Sequence, residues 1–178
     1  MADEERPLAE SVRLRYYFDT EFIEDGQTIE LISIGIVCDD GRAYYAEVDE
    51  VPWEKADQWV LDNVKPHLMG DDHVRSKAKI AEDIVRFVSQ GKGQPQFWGY
   101  YADYDWVVLC RLYGRMIDLP GGWPMFCMDI KQVAEEHGNP KLPEQVSQEH
   151  HAMADAAWNR DAHRWLMRHI DGSGRDAR

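Results

Sequence analysis

The sequence predicts an α/β domain: a mixed sheet that starts with three antiparallel strands, continues with parallel ones and carries helices on its faces. Three observations predict it. β-Branched and apolar runs joined by short turn signals open the chain. Apolar residues at helical spacing come next. Strand-like and helix-like segments then alternate, as in a sheet covered on its faces.

Arg13 to Phe18 alternates basic and apolar residues, then becomes wholly apolar, as a central strand does. Glu24-Asp25-Gly26 is a turn, and Thr28 to Cys38 is a β-branched, apolar second strand. Asp39-Asp40-Gly41 signals a hairpin leading to a third strand, Ala43 to Val48. Trp53 to Leu61 reads as a short helix. Ser76 to Ser89 is a clearer one, with Ile80, Ile84, Phe87 and Val88 on one face and Gly91 as a stop. Gln96 to Tyr100 is a strand. Asp105 to Tyr113 is a helix with Trp106, Leu109, Cys110 and Tyr113 on one side, ended by Gly114. Pro124 to Met128 is a short strand, Asp129 to His137 a helix closed by Gly138, and His151 to His169 the last helix. Residues 12–170 form one domain, between a loose leader, 1–11, and a frayed tail, 171–178.

At 178 residues the chain can bury a real core, and 44% apolar with 30% charged residues is a globular balance. No apolar run approaches the roughly 18 residues a membrane span needs. The acidic, polar start is no signal peptide. Cys38, Cys110 and Cys127 are far apart and form no C-x-x-C pair, which fits buried thiols in a reducing cytoplasm and speaks against zinc or disulfides. The net charge of −13 argues against long, nonspecific nucleic-acid binding, since phosphate contacts need basic surface. It does not count against a small site filled by cations.

Three acidic signals stand out. Strand alternation puts Asp19 and Glu21 on one face and Thr20 on the other. Two carboxylates on one face of a buried strand repel each other and lose hydration, unless a cation lies between them. An isolated D-x-E is more often a strand end emerging into solvent. The second signal is Trp98 to Trp106, a strand, a turn and a helix that opens with acids. Asp103 is the better N-cap, which leaves Asp105 in the first turn between Tyr104 and Trp106, an apolar setting for a charge. The third is Asp155, on the core-facing stripe of Ala162 and Leu166 with Trp158 beside it. An aspartate there needs a partner, and a metal ion is the natural one. Ala152, Ala154, Ala156 and Ala157 let this helix approach the strands closely. His150 falls five positions before Asp155, off its helix face, where a lone histidine is usually solvated.

In this order and on these elements, the residues resemble the DEDDh group of 3′→5′ exonucleases: D-x-E at Asp19 and Glu21, a middle acid at Asp105, and H-x-x-x-x-D at His150 and Asp155. Within that group, Tyr17 to Gly26, Thr28 to Gly35, and Tyr104-Asp105 before Leu109-Cys110 look like the polyadenylate-specific 3′-exoribonuclease AS of actinobacteria and phages. Tyr101 departs from the middle motif, where many relatives carry a small polar residue. The resemblance covers nearly the whole chain and implies a ribonuclease H-like fold. It implies a 3′→5′ exoribonuclease that acts on single-stranded or overhanging RNA 3′ ends and releases nucleoside monophosphates. An exodeoxyribonuclease and an inactive nucleotide-binding module are the alternatives.

The resemblance also implies two Mg²⁺ or Mn²⁺ ions, hard cations that take carboxylate and phosphate oxygens. Asp19 would bridge both. Glu21 and Asp155 would complete the nucleophile's ion, and Asp105 would hold the other, mainly through water. His150 would take a proton from the metal-bound water, a task suited to the ordinary histidine pKa of about 6.5. The backbone of Thr20 and Glu21 would meet the terminal 3′-hydroxyl. Phe22 would stack on the terminal base or serve as a core residue. Arg75, Lys77, Lys79, Arg86 and Lys92 form the densest basic stretch, either a phosphate guide or the solvated face of a helix. Of seven tryptophans, Trp98, Trp106, Trp158 and Trp165 fit core faces, whereas Trp53 and Trp59 could form the surface of a homodimer.

Overall fold

The computed structural model describes residues 13–146 and 148–173. Six strands form one sheet in the order β4-β3-β2-β1-β5-β6. They are β1 (Arg13–Glu24), β2 (Ile29–Cys38), β3 (Ala43–Val48), β4 (Val74–Arg75), β5 (Gln94–Gly99) and β6 (Met128–Asp129). The first three pair antiparallel, and β5, β6 and β4 join them in parallel. The helices are α1 (Gln58–Asn63), α2 (Lys77–Ser89), α3 (Asp103–Arg111), α4 (Ile130–Glu136) and α5 (Ala152–Ser173). The sheet, its mixed direction and its flanking helices are those the sequence predicts.

β1 lies in the interior of the sheet, and its alternation divides the molecule. Tyr16 and Phe18 point to one side, into a core with Ile34, Ile36, Ile84, Phe97 and Leu109, beneath α2 and α3. Tyr17 points to the other, where Trp98, Ile130, Ala134 and Leu166 bring α4 and α5 together. Asp19 and Glu21 share the parity of Tyr17, so they fall on the α5 side. A bulge follows directly: Glu21 pairs with Ser33 but Phe22 with Leu31, so Ile32 is the extra residue on β2. Ile32 packs with Ile23, Val60 and Val64 in a third, smaller cluster.

Ser76 caps α2, accepting from the Lys79 amide at 3.2 Å, and Asp129 caps α4 in the same way. Several boundaries differ from the sequence reading for local reasons. The stretch from Trp53 to Leu61 is broken: a 3₁₀ turn at Trp53–Lys55 ends, and α1 restarts at Asp57, whose side chain accepts from the Val60 amide at 2.8 Å. The strand expected over 124–128 shrinks to Met128–Asp129, following Gly121, Gly122 and Pro124, none of which favours a ladder. The α3 helix starts at Asp103 with Ala102 as N-cap, so Asp103 is not the cap. β4, two residues pairing with Glu47 and Val48, had no sequence signal. The last helix runs to Ser173, three residues into the expected tail. The expected leader and the remainder of the tail lie outside the described residues.

One close approach sets the α5 geometry. Gly35 of β2 pairs with Asp19 across the ladder. A Cβ on Gly35 would lie 2.3 Å from the Ala152 carbonyl oxygen and 2.5 Å from the Met153 nitrogen, both backbone atoms of the first turn of α5. The missing side chain therefore lets the helix start beside Asp19. Gly35→Ala is expected to push the helix off the sheet and destabilise the protein by about 2 kcal/mol, the order of other overpacking substitutions. Urea unfolding at matched pH checks it, and a midpoint unchanged from wild type contradicts this account of the contact.

Candidate active site

At the end of β1 the parity rule and the start of α5 converge. One carboxylate oxygen each of Asp19, Glu21 and Asp155 lie within 4.8 Å of one another. Asp105, the fourth expected ligand, is not part of this trio; it stands in the first turn of α3, near enough for its charge to act on Asp19 and Glu21. Its Oδ1 accepts two hydrogen bonds from Thr20, at 2.9 Å from the amide and 2.6 Å from the hydroxyl. The turn before α3 is fixed by Asp129, whose Oδ2 accepts from the Ala102 amide at 2.8 Å. Asp103, two residues ahead of Asp105, is exposed, whereas Asp105 is buried.

The electrostatics are those of like charges held in poor solvation. Burial pushes the Asp19 carboxyl well above its ordinary range, and Asp105, Glu21 and Asp155 push the same way. Glu21 rises to about 8, through burial first, then Asp155 and Asp105. Burial also lifts Asp105, to about 6, although Thr20's two donors oppose the rise. Asp155 is raised by burial against the side-chain amide of Gln145, whose Nε2 donates to its Oδ1. Hard oxygen donors crowded with too little counter-charge fit a divalent cation.

The other expected site residues are distributed around this cluster. His150 stands just before α5 in a left-handed conformation, φ 65°, with its ring edge-to-face on Trp59 at 4.7 Å. It borders the same cavity as Asp19 and Asp155. Thr20's amide and hydroxyl both point at Asp105, so they orient that acid and do not face the cavity as donors to a 3′-hydroxyl. Phe22 is half-buried against the core and stacks on the Tyr104 ring, 5.9 Å between centroids and 11° between planes. Lys77, Lys79 and Arg86 pair with Glu30 and Asp83, and Arg75 donates to the Val74 and Asp72 carbonyls, as on a solvated helix face. Trp53 packs on the third core cluster, so the expected two-tryptophan surface reduces to Trp59.

This sheet order and this placement of acids define a ribonuclease H-like nuclease fold. The chain belongs to the family of the 3′-5′ exoribonuclease Rv2179c-like domain, whose model matches residues 14–167. The 3′-5′ exoribonuclease Rv2179c of Mycobacterium tuberculosis H37Rv is 40% identical over 167 residues, which cover 92% of this chain and 99% of that protein. Among solved structures, S. pombe Pop2p, in a form with Mg²⁺ and Mn²⁺ bound, aligns with a TM-score of 0.64 at 14% identity, over 89% of this chain and 84% of that one. Cell-death related nuclease 4 (CRN-4) aligns with a TM-score of 0.53 at 12% identity, over 90% and 64%. These last two likenesses concern the fold alone.

Two residues that hold the site escaped the sequence reading. Asn159 is 1% exposed, and its Nδ2 donates to the Phe18 carbonyl at 3.0 Å. It ties the turn after Asp155 to the residue before Asp19. It occupies the i+4 place on the stripe of Asp155, Ala162 and Leu166, and a polar residue there was the available signal. Gln145, on the segment before α5, had none.

The raised carboxylates carry a sign. Folded-state values above the unfolded ones mean that stability is full below the unfolded range, about pH 4, and is lost as pH rises through the folded values, up to about 8 for Glu21. His163, buried and pushed down to about 4, acts oppositely, but its contribution is complete above 6.5. Between pH 6.5 and 8.5 the metal-free protein is therefore expected to lose thermal stability as pH rises. Mn²⁺ or Glu21→Gln should flatten that slope. Calorimetry with and without EDTA measures it, and equal slopes in all three samples contradict the assignment.

Proposed function

We propose that this chain removes nucleotides from RNA 3′ ends by hydrolysis, using two divalent cations, Mg²⁺ or Mn²⁺, held by Asp19, Glu21, Asp155 and Asp105. The observation that carries the reading is the meeting of three carboxylates within 4.8 Å, Glu21 buried and Asp19 and Asp155 partly so, from β1 and α5, in a member of this family. Bound cations would lower the pKa of a water molecule and offset the charge that builds on the phosphate. The names of the family and of the mycobacterial relative support RNA as substrate and 3′→5′ as direction. The metal-bound form of Pop2p supports the choice of ions.

The protein's own groups then divide the work. Asp19 would help to hold the cations. Glu21 and Asp155 would complete their ligand set, and Asp105, kept in place by Thr20, would add a further carboxylate. His150, which borders the same cavity as Asp19 and Asp155, would accept the proton of the attacking water, the role a DEDDh assignment gives it. Gln145's amide donates a hydrogen bond to Asp155 Oδ1, and the polyanionic substrate would meet the cations instead of basic side chains. A reducing cytoplasm suits the buried thiols of Cys38 and Cys110.

Asp19→Ala, Asp105→Asn and Asp155→Ala are each expected to remove almost all hydrolysis with folding retained. His150→Ala should slow turnover about a hundredfold or more, the usual worth of a general base, while metal affinity by calorimetry stays near wild type. Equal losses in both would make His150 a structural residue. RNA labelled at either end, with Mg²⁺ or EDTA, tests the whole reading. The 5′-labelled strand should shorten stepwise and the 3′-label should leave as a mononucleotide, in Mg²⁺ only. Internal cuts, or shortening in EDTA, overturn it.

A further inference from the structure

The cavity at the acid cluster is larger than two ions require. It is an open cavity of about 740 Å³, lined by Asp19 and Asp155 and also by Tyr100, Trp158 and the segment from Asn139 to Gln145, the part of its wall called the lobe below. The lobe's chemistry is distinctive. Tyr100 and Trp158 meet edge-to-face, with centroids 5.1 Å apart, and the indole N–H of Trp158 donates to the Pro143 carbonyl at 3.0 Å, which fixes the ring. Leu142, Pro140 and Pro143 add apolar wall. Asn139 has its Oδ1 engaged by Lys131 at 2.9 Å, so its amide NH₂ is the donor end.

Charge decides what this lobe can hold. Among the described residues that line the cavity, Lys141 is the one ammonium or guanidinium, and it pairs with Glu144 at 2.6 Å. Glu149, Asp155 and Asp19 line the same space. A phosphate finds no uncompensated cation in the outer lobe, whereas a planar, uncharged ring finds aromatic faces and an amide. We propose that the lobe is a nucleobase subsite for the residue immediately 5′ to the scissile linkage, the one that becomes the new 3′ end. This assignment rests on the exoribonuclease reading. If the terminal nucleotide lies along β1 beyond Glu21, on the side of the Phe22–Tyr104 stack, its neighbour lies across Asp19, where the lobe opens. Phe22 and Tyr104 do not line this cavity, so the two aromatic platforms are separate.

The test is a binding cycle measured by fluorescence anisotropy, with Ca²⁺ replacing Mg²⁺. Three short 5′-labelled RNAs are compared: intact, abasic at the last residue, and abasic at the residue before it. Wild type should lose about tenfold in affinity for the penultimate-abasic strand, the order of one lost base–aromatic stack. Tyr100→Leu should bind intact RNA about tenfold more weakly and be nearly indifferent to the penultimate base. Both proteins should respond alike to loss of the terminal base. Asn139→Ala, a change at an exposed side chain, should shift in the direction of Tyr100→Leu, and it decides the matter should Tyr100→Leu fold poorly. If the variants remain as sensitive to the penultimate base as wild type, or lose sensitivity to the terminal base instead, the subsite assignment is overturned. Failure of the enzymatic reading appears elsewhere, as intact RNA that wild type does not shorten in Mg²⁺.

Discussion

Crowded negative charge is the constraint on which the rest of the molecule depends. Asp19, Glu21 and Asp155 are held close while partly or wholly withdrawn from water, and the charges acting on Asp19 and Glu21 are those of further carboxylates. A folded chain tolerates such a cluster only if its surroundings leave the carboxylates no way to separate. The protonated forms that burial favours relieve the repulsion, and so does a divalent cation. Only the second leaves oxygens able to ligate. A protein that keeps this arrangement at neutral pH is therefore poised to bind metal, and its site is least comfortable when empty and fully ionised.

The restraints are visible around the cluster. Parity along β1 holds Asp19 and Glu21 together, and parity cannot relax without breaking two ladders. Gly35 lets α5 begin against the sheet, and Asn159 anchors its second turn to the Phe18 carbonyl. Further along, the Tyr17 hydroxyl and His163 Nδ1 lie 2.9 Å apart, and Trp98 covers the same imidazole. These contacts run along one side of the helix, so Asp155 cannot rotate away. On the opposite layer, Thr20 faces down by the same parity that sends its neighbours up, and it uses that direction to grip Asp105. One dipeptide step on β1 thus serves both sides of the sheet.

Much of this was legible in the residues. Period-two alternation placed Asp19 with Glu21, and the apolar stripe of α5 placed Asp155 toward the sheet, because both are consequences of backbone geometry. The meeting of Asp155 with the β1 pair is a long-range event, and only the resemblance of motifs anticipated it. What escaped depended on contacts without a local period: β4, two residues long, the Asp129 grip on the turn at Ala102, the Gln145 contact, and the burial of Trp53 but not Trp59. Asp103 misled because a good capping residue is judged by its type, whereas the α3 start was set by Asp129 holding the Ala102 amide from another strand.

The charge balance ties the site to its substrate. A net charge of −13 argues against drawing a long strand along a basic groove, and the lysines and arginines of α2 are largely engaged by nearby acids. On the proposed reading, attraction would have two short-range sources: cations at the carboxylates, acting on one phosphate, and aromatic faces near them, acting on bases. Both fade within a nucleotide or two of the scissile linkage. Such an enzyme would gain little from a long strand and most from the last residues, so selection for an RNA end would follow from where the protein lacks positive charge as much as from where it would hold metals.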